Sequence, residues 1–391
     1  MKEERAVLDL AEIRGGDARR VGPKIARLGQ LAHAGWRVPD GYAVTASALG
    51  RWLPAAIREE LARLLASSPA AASPGHQHLA SVTRQARELI ETQPLPAWLA
   101  DAVDAAHERL ASRTGHGAAL KVAVRSSALS EDGASASFAG QYATYLGVTG
   151  VADVLAHIRK CWASGFSAHA LEYRRRLAGP PAHSALLHHQ LAVGVLELVD
   201  VRSAGVVFTI DPVTGDRDRL VIEANWGFGE SVVSGQVTPD HWEVDRASGH
   251  ILAEHVVAKR AWAVFDAAAG AVVLRPLPEE LAGQSCLAPH EVRYLCRQAA
   301  EIQDAEDGVP QDVEWAIAKG LPFPDSVFIL QHRPETTWSA SPGGATARTP
   351  RAEPKSEPAP GPQPAAPDPV AGKAFDPVQY ALRNVFKVPG A

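Results

Sequence analysis

A mixed α+β fold of two or three domains is what this sequence predicts, and three observations predict it. Its 391 residues exceed what a single core usually organises, since domains run to ~100–200 residues. Within residues 1–338 helical and strand periods alternate, as in enzyme-like bodies that pack helices on sheets. With 46% hydrophobic and 21% charged residues, the chain has the apolar material for sizeable cores, which excludes a wholly disordered protein.

The elements follow in order. Residues 53–65 and 79–90 repeat Leu, Ala and Ile at three- and four-residue steps among Arg and Glu, the pattern of amphipathic helices. Residues 121–124, 204–210, 220–224 and 326–331 are short β-rich runs and read as strands. Residues 311–317 and 328–335 read as the two strands of a hairpin, each with polar groups among apolar ones. Gly75 with its Ser and Pro neighbours marks a surface loop that takes in His76 and His78, and Gly179-Pro180-Pro181 marks another. His188 and His189 open a strand and read as surface or core residues. No repeat of 20–50 residues is present, which disfavours a solenoid or propeller.

Composition changes at Ser339. From there to Gly372 about one residue in four is Pro, among Ala, Ser, Gly and Glu, a mixture that buries too little surface to offset chain entropy and reads as a disordered Pro-rich tether. Residues 373–391 then recover an apolar rhythm around Phe375, Tyr380, Leu382 and Phe386, as a short docking peptide would.

Charge and cysteine usage narrow the partners. The 39 basic residues are outnumbered by 44 acidic ones, giving a formal charge of -5, and no Lys/Arg block occurs. A broad electrostatic grip on nucleic acid is therefore not expected, and an anion must be held by a few placed residues. Cys161, Cys286 and Cys296 are odd in number, lack metal-ligand spacing and read as idle thiols of a reducing compartment. The charged N-terminus and the lack of any run of ~18 apolar residues point to a cytoplasmic protein without membrane contact.

Two segments carry the chemistry. In Val122-Ala123-Val124-Arg125-Ser126-Ser127 a short strand ends in a fixed cation, and a small-residue loop with Ser137, Ala139 and Gly140 follows. A planar guanidinium suits bidentate phosphate contact, and a loop poor in side chains lets backbone N–H groups approach oxygen. The Gly-Lys-Ser/Thr spacing of a P-loop is missing, so that nucleotide fold is not supported. On the hairpin, Glu314 and Gln331 offer a carboxylate and an amide oxygen, donors that suit Mg²⁺ shared with phosphates, with Arg333 beside them.

Taken together and in order, residues 21–29, 35–42, the Arg125-Ser126-Ser127 block, residues 205–215, residues 227–235 and the Glu314 and Gln331 strands resemble the nucleotide-binding domain of phosphoenolpyruvate synthase and pyruvate phosphate dikinase. The likeness runs from about residue 10 to about residue 338. It implies an ATP-grasp fold in which two lobes, residues 1–200 and 201–338, clamp ATP and Mg²⁺. By position, Lys24 corresponds to the lysine that reaches the phosphates and Arg125 to the arginine that holds the transferring end. Ser137, Ala139 and Gly140 correspond to the mobile loop over the phosphates, followed by Thr144. Glu314 and Gln331 correspond to the magnesium ligands, Arg333 to a phosphate contact, and Glu197 and Val199 to main-chain partners of adenine.

Three residues depart from the pattern: Pro23 where Gly is usual, which stiffens the approach to Lys24; Ile25 for a smaller or polar residue; and Leu196 where Gln is common. None of the 15 His lies in the Thr-Ser-His setting of the family's phosphorylatable histidine. The resemblance thus implies the ATP-binding half of a divided dikinase-type phosphotransferase. A partner subunit would carry the phosphorylatable His and the acceptor domain, with AMP and phosphate as by-products. A phenol or cresol acceptor, as in systems like phenylphosphate synthase, is the first reading. The second is a component serving phosphoenolpyruvate formation or rifampicin-type transfer. A regulatory nucleotide-binding subunit is the third.

Overall fold

Two antiparallel sheets organise the chain. The computed structural model describes residues 4–66, 76–129, 143–168, 170–171 and 191–338. Ser137, Ala139 and Gly140, the loops at Gly75 and Gly179-Pro180-Pro181, His188 and His189, the tether and the docking peptide lie outside the described residues.

The first sheet contains β1 (Val7–Asp9), β2 (Gly41–Val44), β3 (Lys121–Ala128), β4 (Thr144–Thr149) and β5 (Leu191–Glu197), in the order β1-β2-β5-β3-β4. Strand alternation sends Val122, Val124, Val193 and Val195 to one face. There they meet α2 (Ala46–Trp52), α3 (Ala55–Ala66), α4 (His76–Glu91), α5 (Ala97–Thr114) and α6 (Val151–Ser164) through Trp52, Leu61, Ile90, Leu110 and Trp162. Trp162 stacks on Trp52 at 5.0 Å, and its buried indole N–H donates to the Leu191 carbonyl at 3.0 Å. The opposite face receives α1 (Ala18–His33), whose Val21, Ile25 and Leu28 pack with Ala43 and Leu196.

Some expected boundaries move. Leu53 caps the end of α2, Pro54 separates it from α3, and the next helix starts at Ala55, because Pro fits ahead of a first turn and not inside a helix. His76 and His78 belong to the first turn of α4 and not to a loop, since no breaker follows Gly75. The strand expected to end at Arg125 runs on to Ala128, so Arg125, Ser126 and Ser127 sit in the sheet, paired with Gly194, Val193 and Ala192.

The second sheet contains β6 (Val201–Phe208), β7 (Arg219–Trp226), β8 (Asp240–Asp245), β9 (Ile251–His255), β12 (Gln311–Ala318) and β13 (Val327–Pro334), in the order β13-β12-β6-β7-β8-β9. Between β9 and β12 in sequence, β10 (Ala261–Asp266) and β11 (Ala271–Pro276) form a hairpin of their own. Helix Pro289–Ala305 covers one face of the large sheet, burying Val292, Leu295 and Ala299 against Val207, Ile222, Trp242, Trp315 and Ile329. Leu31 of α1 joins this second core, and α1 touches β3 and β5 of the first sheet and β13 of the second. Among the described residues no helix is long and apolar enough to cross a membrane.

One irregularity decides what the second sheet presents. Ile329 pairs with Trp315 and Gln331 with Glu314, so Leu330 is an extra residue in β13. Strict alternation would send Gln331 to the same face as Val327 and Ile329, into the core. The bulge instead places Gln331 and Arg333 on the face of Glu314 and Asp312, away from helix Pro289–Ala305. His332 consequently turns inward, where it is 1% exposed and its Nδ1 lies 3.0 Å from Gln311 Oε1.

Burial, aided by the nearby positive charge of Arg27, pushes the His332 imidazole down to about 4 from 6.5. The unfolded chain gains a proton there as pH falls through 6.5, and the folded chain does so only near 4. The stability contributed by the neutral ring is therefore present above pH 6.5 and lost progressively towards pH 4, about 3 kcal/mol in all. Urea unfolding at pH 7.5 and 4.5 measures the loss, and His332→Asn should flatten it. Equal slopes in the two proteins would count against this origin.

Candidate functional site

The site is built where the two sheets meet. Arg125 leaves β3 on the α1 face, between Gly194 of β5 and Thr144 of β4 in register. Its guanidinium crosses to the second sheet, where Nη2 donates to Gln331 Oε1 at 2.9 Å and Nη1 to the Leu330 carbonyl at 3.5 Å. Glu314 Oε2 lies 3.9 Å from the same Nη2, and Gln331 Nε2 donates to Glu314 Oε1 at 3.4 Å. The bulged residue thus supplies a carbonyl to Arg125, and the strand shift it causes supplies the amide. Residues 206 apart in sequence become hydrogen-bond partners.

Arg333 does not stand alone beside the carboxylate. Its Nε and Nη2 bond Asp312 Oδ2 at 3.0 and 2.9 Å, an edge-on ion pair on the same face as Glu314 and Gln331. Asp312 is 8% exposed, and burial pushes its carboxyl above the usual range against the pull of Arg333. Its other oxygen, Oδ1, is buried without a hydrogen-bond partner among the described residues. An orphaned acceptor beside a carboxylate and an amide oxygen fits a hard cation that takes part of its shell from phosphates and water. Among the described residues no three His, Cys, Asp or Glu side chains converge as a ready-made metal site.

Lys24 stands on α1, the helix that touches β3, β5 and β13. Gly22 interrupts α1 with φ 74° and ψ 158°, and the helix restarts at Pro23, where a missing N–H costs nothing. Pro23 is therefore the first residue of a fresh helical run, and the stiffening it implies is that of a well-placed first turn. The interruption is enforced by close approach, because a Cβ on Gly22 would lie 2.2 Å from Ser127 Oγ and 2.6 Å from the Ser127 carbonyl oxygen. Gly22 so fixes Lys24, two residues on, beside the strand that carries Arg125. Ile25 fills the space left by Gly194, where a Cβ would meet Ile25 Cδ1 at 2.3 Å.

Of the other expected site residues, Thr144 is brought directly opposite Arg125. Glu197 closes β5, and its N–H donates to the Asp40 carbonyl at 2.8 Å while its Oε1 accepts the Asp40 N–H at 3.1 Å. The Leu198 N–H likewise donates to the Lys121 carbonyl, so two of the main-chain donors near the expected adenine position are already engaged. Burial raises the Glu197 carboxyl above its ordinary range. Val199 packs in a small apolar cluster with Val201, Ala316 and Phe328.

The sequence reading passed over two residues. Asp312 precedes Glu314 by two positions, and strand alternation alone places them together. Glu230, in the short helix Glu230–Val233, is pushed up by loss of water and pulled down by Arg125, which puts it within electrostatic reach of the same guanidinium. No local pattern marks Glu230. The three cysteines are buried, with the Cys161 and Cys296 thiols pushed up to about 12, and serve as core residues.

With this geometry in place, comparison with known proteins gives a consistent result. Residues 18–353 match the family described as pyruvate phosphate dikinase, AMP/ATP-binding domain. A probable phosphoenolpyruvate synthase of Staphylothermus marinus is 37% identical over 359 residues, 86% of this chain and 42% of its own length. The prodigiosin synthesizing transferase PigC of Serratia marcescens is 36% identical over 331 residues, 85% of this chain and 33% of its own. A rifampicin phosphotransferase of a Streptomyces species is 35% identical over 336 residues, 85% of this chain and 36% of its own. The chain therefore spans less than half the length of these relatives.

Proposed function

Because this chain belongs to the pyruvate phosphate dikinase AMP/ATP-binding domain family, we propose that it binds ATP between its two sheets as an ATP-grasp unit and supplies the nucleotide half of a dikinase-type phosphotransferase. The observation that carries this reading is the Arg125 bridge to Gln331 and Leu330, with Glu314 3.9 Å away, at the junction of the sheets. Phosphoryl transfer asks a protein mainly for positioning and charge neutralisation. Arg125, Lys24 and the Arg333–Asp312 pair deliver cations from three different elements. Glu314, Gln331 and Asp312 would hold Mg²⁺, which when bound neutralises phosphate charge. Ser137, Ala139, Gly140 and Thr144 would cover the phosphates, and Glu197 and Val199 would flank the base.

The relatives' names bear on the acceptor. They describe phosphoenolpyruvate synthesis, prodigiosin synthesis and rifampicin phosphorylation. They favour the second reading of the sequence, a component of phosphoenolpyruvate-synthase or rifampicin-type transfer, over a phenol or cresol acceptor. In this proposal the nucleophilic imidazole is supplied by a partner subunit that also holds the acceptor.

Two experiments test the proposal. Titrating Mg²⁺ into ATP-binding assays, Glu314→Ala and Gln331→Ala should each raise the half-saturating metal concentration about tenfold or more, with little change in unfolding midpoint. A wild-type metal dependence in both would remove these residues from the ion site. With ATP labelled at the β-phosphate and the partner subunit present, label should appear on a His of that subunit. Label confined to ADP would point to simple hydrolysis.

A further inference from the structure

The β10–β11 hairpin joins the two sheets, and its two ends are built differently. At its base, Lys259 Nζ lies 2.6 Å from Asp240 Oδ1 in an ion pair whose side chains have no exposed surface. Asp240 also accepts the Val257 N–H at 3.1 Å and the Cys286 N–H at 3.0 Å, and Lys259 donates to the Val257 carbonyl at 3.2 Å. A dry pair whose atoms are all engaged holds its geometry, and this one ties β8 to the chain entering and leaving the hairpin. Along its side, Asn225 Nδ2 donates to the Ala261 carbonyl and the Phe228 N–H to the Ala263 carbonyl, both at 2.9 Å. The loop from Gly227 to Glu230 is thus fastened to the hairpin.

The tip packs on the first sheet without strand pairing: besides Phe265, the Ala271 Cα would lie 3.7 Å from a Cβ on Gly147. Gly147 is an extra residue in β4, with Val148 facing Val122 and Leu146 facing Ala123, and its φ of 82° leaves a notch. Phe265 fills that notch: a Cβ on Gly147 would lie 2.4 Å from its Cε2. Lys121 Nζ stands 4.3 Å from the ring centroid. The hairpin forms a two-stranded sheet separate from β4. Such a ring contact with an exposed cation is weak beside the buried base.

We propose that the hairpin is a latch: a rigid arm of the second sheet whose Phe265 seats in the Gly147–Lys121 notch when the sheets close on a nucleotide and leaves it when they part. Opening breaks the weak end and spares the strong one. Because the arm carries the loop leading to Glu230, seating the ring also sets that loop relative to Arg125. The inference rests on the nucleotide reading above.

Stopped-flow fluorescence of the full chain with a methylanthraniloyl-ATP and Mg²⁺ tests it. Phe265→Ala and Gly147→Ala should release the analogue about tenfold faster at a nearly unchanged association rate, and Lys121→Ala about threefold faster. The Phe265→Ala/Lys121→Ala double variant should be no worse than Phe265→Ala, since the cation acts through the ring. Release within twofold of wild type in Phe265→Ala and Lys121→Ala, with binding retained, overturns the latch and leaves the nucleotide reading intact. No saturable binding by the wild type overturns the nucleotide reading itself. Should Phe265→Ala fail to fold, Lys121→Ala, at an exposed strand position, decides.

Discussion

Arg125→Lys should lower ATP-dependent phosphoryl transfer by about two to three orders of magnitude while leaving the fold in place. The guanidinium uses separate nitrogens for Gln331 and Leu330, and a planar fork meets both without rearrangement. An ammonium on a flexible stem matches one of these partners at a time. Its charge still offsets Glu314, so stability should change by less than about 1 kcal/mol. The loss should fall mainly on turnover and less on ATP affinity, because a fork that positions the transferring end matters most as charge moves there. Measured kcat and ATP dissociation constants separate the two, and a kcat within threefold of wild type would place Arg125 outside the transfer machinery.

Gly22→Ala is the substitution with the largest expected cost to stability. At φ 74° and ψ 158° the backbone occupies a region open to glycine alone, which costs another residue about 1–3 kcal/mol. The added methyl would also sit 2.2 Å from Ser127 Oγ and 2.6 Å from a backbone oxygen, so the strand itself would have to move. Overpacking of this kind adds about 1–3 kcal/mol, and the sum is about 4 kcal/mol. Urea unfolding reads it directly. Gly16→Ala, where a methyl meets nothing within 4 Å, is the control and should shift stability by less than about 0.5 kcal/mol. ATP binding should fall with Gly22→Ala even where the protein stays folded, since Lys24 is displaced with the helix start.

Strand and helix existence was legible wherever the period was regular, as in residues 79–90, 220–224 and 311–317, because burial on one face imposes the period. Arg125, Glu314 and Gln331 were legible as candidates by residue type, and the fold brings the three together. The extent of β3 was not, because Ser126 and Ser127 read as loop residues. They remain in strand because Val193 and Ala192 pair with them across the sheet. The sequence offers Arg333 as a phosphate contact, and its pairing with Asp312 is visible only with the facing strand in place.

By itself the sequence determined that the chain folds into helices packed on sheets, and it singled out Arg125, Lys24, Glu314 and Gln331 as the candidate site. These are consequences of local periodicity and residue type, which each segment carries on its own. Only the tertiary structure decided that Leu330 is bulged, that Gln331 therefore faces Arg125, that Asp312 shares their face, and that Phe265 seats against Gly147. Each of these depends on a partner far away along the chain, and a one-residue register shift or a missing Cβ acquires meaning only against the surface it meets.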